Sequence, residues 1–241
     1  MSAVLEILAL HAADAVRAEE GGADRICLVG SLAEEGRSPE PELVERVREA
    51  TAVQLRVLLR LRPGFSTDGG EIVRLRGLAS SYAEAGADGI VMGFLNGHAE
   101  VDREVFGELL VDGDWPWTFD RAIDSAIDAD RAWRDLRELP RLDQVQTAGS
   151  ARGVEYGMDD LITRATADPA VAGVIMASGG LAAEHVPWLV RAGVRAFHLS
   201  EAVRPLGSWK AYVDPGLVGM WRGLIDSTLR HSGAPVSSQG G

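Results

Sequence analysis

Trp115-Pro-Trp-Thr-Phe-Asp-Arg-Ala-Ile-Asp124 begins as an apolar strand and ends in three charged side chains, Asp120, Arg121 and Asp124. Hydrophobic strands that stop abruptly in charge belong to α/β proteins, which place ligands on loops at the carboxyl ends of their strands. Side chains alternate along a strand, so Trp117 and Phe119 share one face and Thr118 and Asp120 the other. The aromatic face suits packing against helices. That leaves Asp120 directed to the open end of the sheet.

Outward from this stretch the same unit repeats. Strand-like runs are predicted over 4–10, 24–29, 54–61, 88–95, 115–119, 142–147, 172–177 and 194–199. Amphipathic segments fall between and after them, over 11–20, 39–50, 69–85, 102–110, 128–139, 154–167, 181–192 and 214–230. Glycines close several helices, prolines sit in the first turn of 39–50, and Ser125 or Asp128 caps 128–139. Gly-Gly-Ala-Asp-Arg at 21–25, Ala-Gly-Ala-Asp-Gly at 85–89 and Ala-Gly-Val-Arg-Ala at 192–196 each join a helix end to a strand start. Regular β-then-α alternation makes a parallel sheet, and about eight units with short connections make a closed (β/α)8 TIM-type barrel. An open doubly wound sheet would show a Gly-rich phosphate loop after its first strand, and Leu8-Ala-Leu-His-Ala12 is not one. The expectation is a single barrel domain over 1–230 and a flexible C-terminal tail over 231–241.

The 241 residues carry a net charge of -12, which argues against nucleic acid and acidic membranes as partners. No apolar run approaches the roughly 18 residues of a membrane span. The opening MSAVLEILAL has no basic region and reads as a strand, not a signal peptide. A single cysteine, Cys27, excludes an internal disulfide and a multi-cysteine metal site within one chain, and fits a reducing cytoplasm.

Polar residues gather at the predicted strand ends. Arg60 and Arg62 share a face beside the Pro63-Gly64 turn and could hold a carboxylate or phosphate, or pair with protein acids. Glu6 interrupts an apolar run. It is expected to pair with Arg60 or Arg62, or to act as an acid or base. His198 points inward near the top of the last strand, with Ser200 on the same face, and suits proton transfer or metal ligation. Ser178-Gly179-Gly180 follows the seventh strand, where barrels of this kind hold phosphate. Cys27 packs as a small apolar residue or serves, with Met92 and His198, as a soft ligand.

The order Leu5-Glu6-Ile7, Gly22-Ala23-Asp24-Arg25, Glu35-Gly36, Arg60, Arg62 matches a known pattern. Thr118-Phe119-x-Arg121-Ala122-x-Asp124, Thr147-x-Gly149 and Phe197-His198-x-Ser200 continue it. Across roughly residues 4–205 the chain resembles the CutC copper homeostasis proteins, most specifically in the fifth-strand motif. The resemblance implies a cytosolic (β/α)8 barrel, often a homodimer, linked to copper handling and to Cu(I) binding. Leu8-Ala9 stand where such proteins often carry cysteines, and Cys27-Leu28-Val29 where Glu-Leu-Cys is common. Asp120 stands where the motif usually has histidine.

Three functions fit these residues. The first is copper binding through Cys27 and His198, with Met92 as a further soft donor. The second is an enzyme on a small anionic or phosphorylated metabolite. There Arg60, Arg62, Arg121, Gly179 and Gly180 hold the anion, Glu6, Asp120 or His198 moves the proton, and Asp124, Thr147 and Ser200 complete the mouth. The third is a scaffold in which the charges only neutralise one another. Every charge paired and no open pocket would mark that case.

Overall fold

The structure is a computed structural model that describes residues 2–32, 36–111 and 113–232; Glu35 and residues 233–241 of the expected tail lie outside them. The first half runs β1 (Val4–Ala9), α1 (Ala12–Glu20), β2 (Arg25–Leu28), α2 (Pro41–Ala50), β3 (Gln54–Leu58), α3 (Gly69–Glu84), β4 (Gly89–Met92) and α4 (Arg103–Leu109). The second runs β5 (Trp117–Phe119), α5 (Ala129–Arg137), β6 (Leu142–Thr147), α6 (Val154–Ala167), α7 (Pro169–Val174), β7 (Ile175–Ala177), α8 (Val186–Ala192), β8 (Ala196–Leu199) and α9 (Pro215–Ser232). The strands pair in sequence order and β8 returns to β1, closing a parallel barrel as expected. No helix among the described residues is long and apolar enough to cross a membrane.

Alternation sorts each strand into two faces. Ile7, Ile26, Val57, Ile90, Phe119, Val145, Ile175 and Phe197 face the helices in one continuous apolar shell. Burying each such side chain contributes about 1.5–3 kcal/mol. The aromatic face of β5 packs against α4, with the rings of Phe106 and Trp117 stacked 5.0 Å apart. Met92 belongs to this outer shell with Ile90 and Phe94, so it offers no sulfur to the barrel interior. The inner faces carry Glu6, Arg25, Arg56, Thr118, Gln146 and His198, all buried.

Three local departures from the expected elements have clear causes. The segment expected to begin the seventh strand is instead helix α7. Asp168 caps it by accepting from the Ala170 N–H, and Pro169 sits at its first position. The strand proper starts only at Ile175. A β-bulge lies between β5 and β6, where Trp117 opposes Leu142 but Thr118 opposes Gln144. Asp143 is thereby left unpaired in the ladder, and its carboxylate turns into the barrel. Finally, α9 continues to Ser232, beyond the expected end at 230.

Candidate functional site

The interior is built from charge. Glu6 is fully buried, and its Oε2 accepts from Arg25 Nε at 2.6 Å. Arg25 also lies 3.7 Å from Asp143 Oδ2, which pairs with Arg56. The expected partners Arg60 and Arg62 are therefore not the partners of Glu6. The alternation that joined those two also reaches Arg56, and the acid between Arg25 and Arg56 enters through the bulge. Burial pushes the Glu6 carboxyl up, but the charge of Arg25 and hydrogen bonds from His198 and Arg25 outweigh it and hold the pKa at about 2. Burial likewise raises Asp143, against the pull of Arg56 and Arg25.

Because Glu6 stays ionised, it can only accept. Its Oε1 takes Gln146 Nε2 at 2.7 Å and His198 Nδ1 at 2.7 Å. The acceptor fixes one proton of His198 by inference: it sits on Nδ1, facing Glu6, which leaves Nε2 as the ring atom turned away from that bond. No hydrogen bond occupies Nε2 among the described residues.

Above this layer, Arg60 pairs with Asp120, both buried, and lies over the Phe65 ring. Asp120 also accepts from the Ala122 N–H at 2.8 Å, capping the 3-10 turn Arg121–Ser125. This packing requires Gly93, where any Cβ would collide with the Asp120 carboxylate. Arg121 reaches Asp124 at 2.9 Å and spreads over Gly179, where a Cβ would collide with the guanidinium. Asp124 accepts from Thr147 Oγ1 at 2.6 Å and from the Ala148 N–H at 2.9 Å, tying the top of β5 to β6. Burial nonetheless raises the Asp124 carboxyl.

Between these groups lies a cavity of about 350 Å³ at the carboxyl ends of the strands. Arg60, Asp120, Arg121, Gly179, Gly180, His198 and Ser200 line it, as do Gln146 and Ser178. Gly179 and Gly180 both have positive φ, +85° and +75°, a backbone that side-chain-bearing residues rarely adopt. Neither of their N–H groups, nor the Ser178 hydroxyl, has a protein partner among the described residues. Arg62 stands apart: half-exposed, it pairs with Asp68 and Glu71 and does not line the cavity. Thr147 and Asp124 support the rim from behind. Ser200 bonds to Glu201 at the edge. Arg56, Asp143, Gln146, Phe65 and Trp209 were not singled out from the sequence, and Arg25 entered only within the Gly22-Ala23-Asp24-Arg25 match, with no role given to it. Parity along β3 pointed to Arg56, whereas the bulge and the loop at Trp209 left no periodic signal.

Glu6, Cys27 and His198 each place one donor atom within 4.8 Å of the others. Cys27 packs with Val29, Leu58 and Val91, and burial pushes its thiol well up, away from the thiolate that metals need. The carboxylate is hard and already held by Arg25, and only one sulfur is present. The donor set does not fit the soft preference of Cu(I).

Residues 3–203 match the model of the CutC family. The family protein CutC of Klebsiella pneumoniae strain 342 is 33% identical over 217 residues, spanning 89% of this chain and 86% of the relative. Its counterpart in Xylella fastidiosa strain Temecula1 is 34% identical over 217 residues, spanning 86% and 80%. The crystal structure of CutC from Streptococcus agalactiae superposes with a TM-score of 0.72 at 21% identity, covering 81% of this chain and 97% of that one, which shows the shared fold.

Proposed function

The chain belongs to the CutC family, and we propose that it uses the mouth of its barrel to bind a small anionic metabolite and to transfer a proton on it. The observation that carries this reading is the set of unspent donors at Ser178-Gly179-Gly180, beside Arg121 and facing the cavity. Unpaired hydrogen-bonding groups at such a turn suit the oxygens of a phosphate or carboxylate. His198 supplies the base through Nε2, and Glu6 holds the ring and balances the imidazolium that proton uptake creates. Arg60 and Asp120, already paired, shape the wall.

Thermal-shift and calorimetric titration with phosphosugars, simple phosphates and carboxylates tests the reading. A rise in melting temperature is expected that Arg121→Ala and Gly179→Ala each diminish. No shift with any anion would sink it. A second reading, Cu(I) binding, comes from the name of the Streptococcus agalactiae relative, a putative copper homeostasis protein, and would fall on Glu6, Cys27 and His198 despite their poor match to a soft ion. Competition against a Cu(I) chelator decides it, and affinity unchanged by Cys27→Ser removes it.

A further inference from the structure

The cavity has two chemically different sides. Arg121, Ser178, Gly179, Gly180 and His198 lie at the tops of β5, β7 and β8. Facing them are Leu8 of β1, Val29 and Leu32 after β2, Phe65 after β3, and Trp209 after β8. In a closed barrel running β8, β1, β2, β3, these five belong to neighbouring strands and make this side the more apolar one, although Arg60, Ser200 and Glu201 also line it. An anion alone would need only the polar side.

The Trp209 end of this side is held in place by groups that do not line the cavity. Arg204 and Asp14 form a buried ion pair at 2.9 Å. Arg204 also donates to Ala211 O at 2.7 Å and Leu8 O at 3.2 Å, and Asp14 accepts from the Val213 N–H at 2.9 Å. These bonds fasten segment 204–213 onto β1. The guanidinium lies 4.8 Å from the centre of the Trp209 ring and Arg60 lies 4.9 Å from that of Phe65. Two buried arginines thus lie against the two aromatic rings, Arg204 from outside the cavity and Arg60 as part of its lining.

Resting on the anion reading above, we infer that the ligand is amphipathic: a phosphate or carboxylate joined to a flat or apolar body that lies against Trp209 and Phe65. Burying a ring-sized apolar body contributes about 1.5–3 kcal/mol, or roughly ten- to a hundredfold in affinity.

Calorimetry with inorganic phosphate, phenyl phosphate and phenol tests this, with tryptophan fluorescence as a second readout. Phenyl phosphate is expected to bind about ten- to a hundredfold more tightly than inorganic phosphate. Trp209→Ala should erase that preference and Trp209→Phe should restore most of it. A thermal melt establishes that both variants fold. Equal affinity for the two phosphates, or a preference that survives Trp209→Ala, overturns the amphipathic ligand and leaves the anion site standing. Phenol binding as tightly as phenyl phosphate overturns the anion site instead. Binding of none of the three overturns both.

Discussion

The arginine–carboxylate pairs deep in the barrel and those at its mouth use the same chemistry for different ends. Below, Arg25, Glu6, Asp143 and Arg56 neutralise one another among buried walls. Above, Arg60–Asp120 and Arg121–Asp124 are just as well paired, yet they border open space and donors with no protein partner. Pairing alone therefore does not mark a purely structural network. Of the two signs that would identify a mere scaffold, the charges show one and the cavity denies the other. The distinction lies in the groups that remain unsatisfied.

Glu6→Ala should break the comparison most sharply. It leaves Arg25 buried without its nearest partner and should cost about 3–5 kcal/mol in a urea melt, enough to threaten folding. Acid should act on the same group. The pKa of Glu6 is about 2 in the fold against 4.5 when free, so its stabilisation is complete above pH 4.5 and is lost as pH falls toward 2. Asp124 and Asp143 are shifted upward and act oppositely, gaining stability as they protonate. The wild-type protein should thus lose stability below pH 4.5, while Glu6→Gln, weaker at neutrality, should show a shallower acid limb, with Asp68 and Asp168 still contributing to it. A melt series from pH 6 to 2 reads both, their total changes in stability differing by on the order of 3 kcal/mol.

Gly93→Ala moves to the mouth. The new methyl displaces the Asp120 carboxylate, and overpacking should cost about 1–3 kcal/mol while weakening anion binding. Its stability cost should fall below that of Glu6→Ala; a larger one would mean that the mouth, too, is chiefly structural. Arg62→Ala should do least, leaving the melt and the anion titration unchanged, because its partners Asp68 and Glu71 lie outside the cavity.

How much was legible follows from period. The barrel could be read because alternation and helix-ending glycines recur along the whole chain. Asp120 and His198 were placed by parity on strands whose apolar faces were unmistakable. Arg25 was hidden inside a phrase that looked like a helix-to-strand joint, and Asp143 by a bulge that shifts parity by one. Arg60 and Arg62 both stand past the end of β3 at Leu58; Arg60 keeps the inner direction, whereas Arg62 is drawn outward by Asp68 and Glu71 at the start of α3. Trp209 lies in a loop whose course is set by a buried ion pair far away in sequence, and no local pattern announces that.

The bond between Glu6 and His198 joins residues 192 positions apart. Loop closure over such a distance is slow, and contacts of high sequence separation form late. While the chain is being made, β1 waits with a buried-type carboxylate exposed, and the Glu6–His198 contact does not exist until β8 has been synthesised and docked. On the proposed function, competence for ligand would be a readout of completed folding. In refolding from urea, recovery of anion binding should track the slowest phase and lag the return of helical signal.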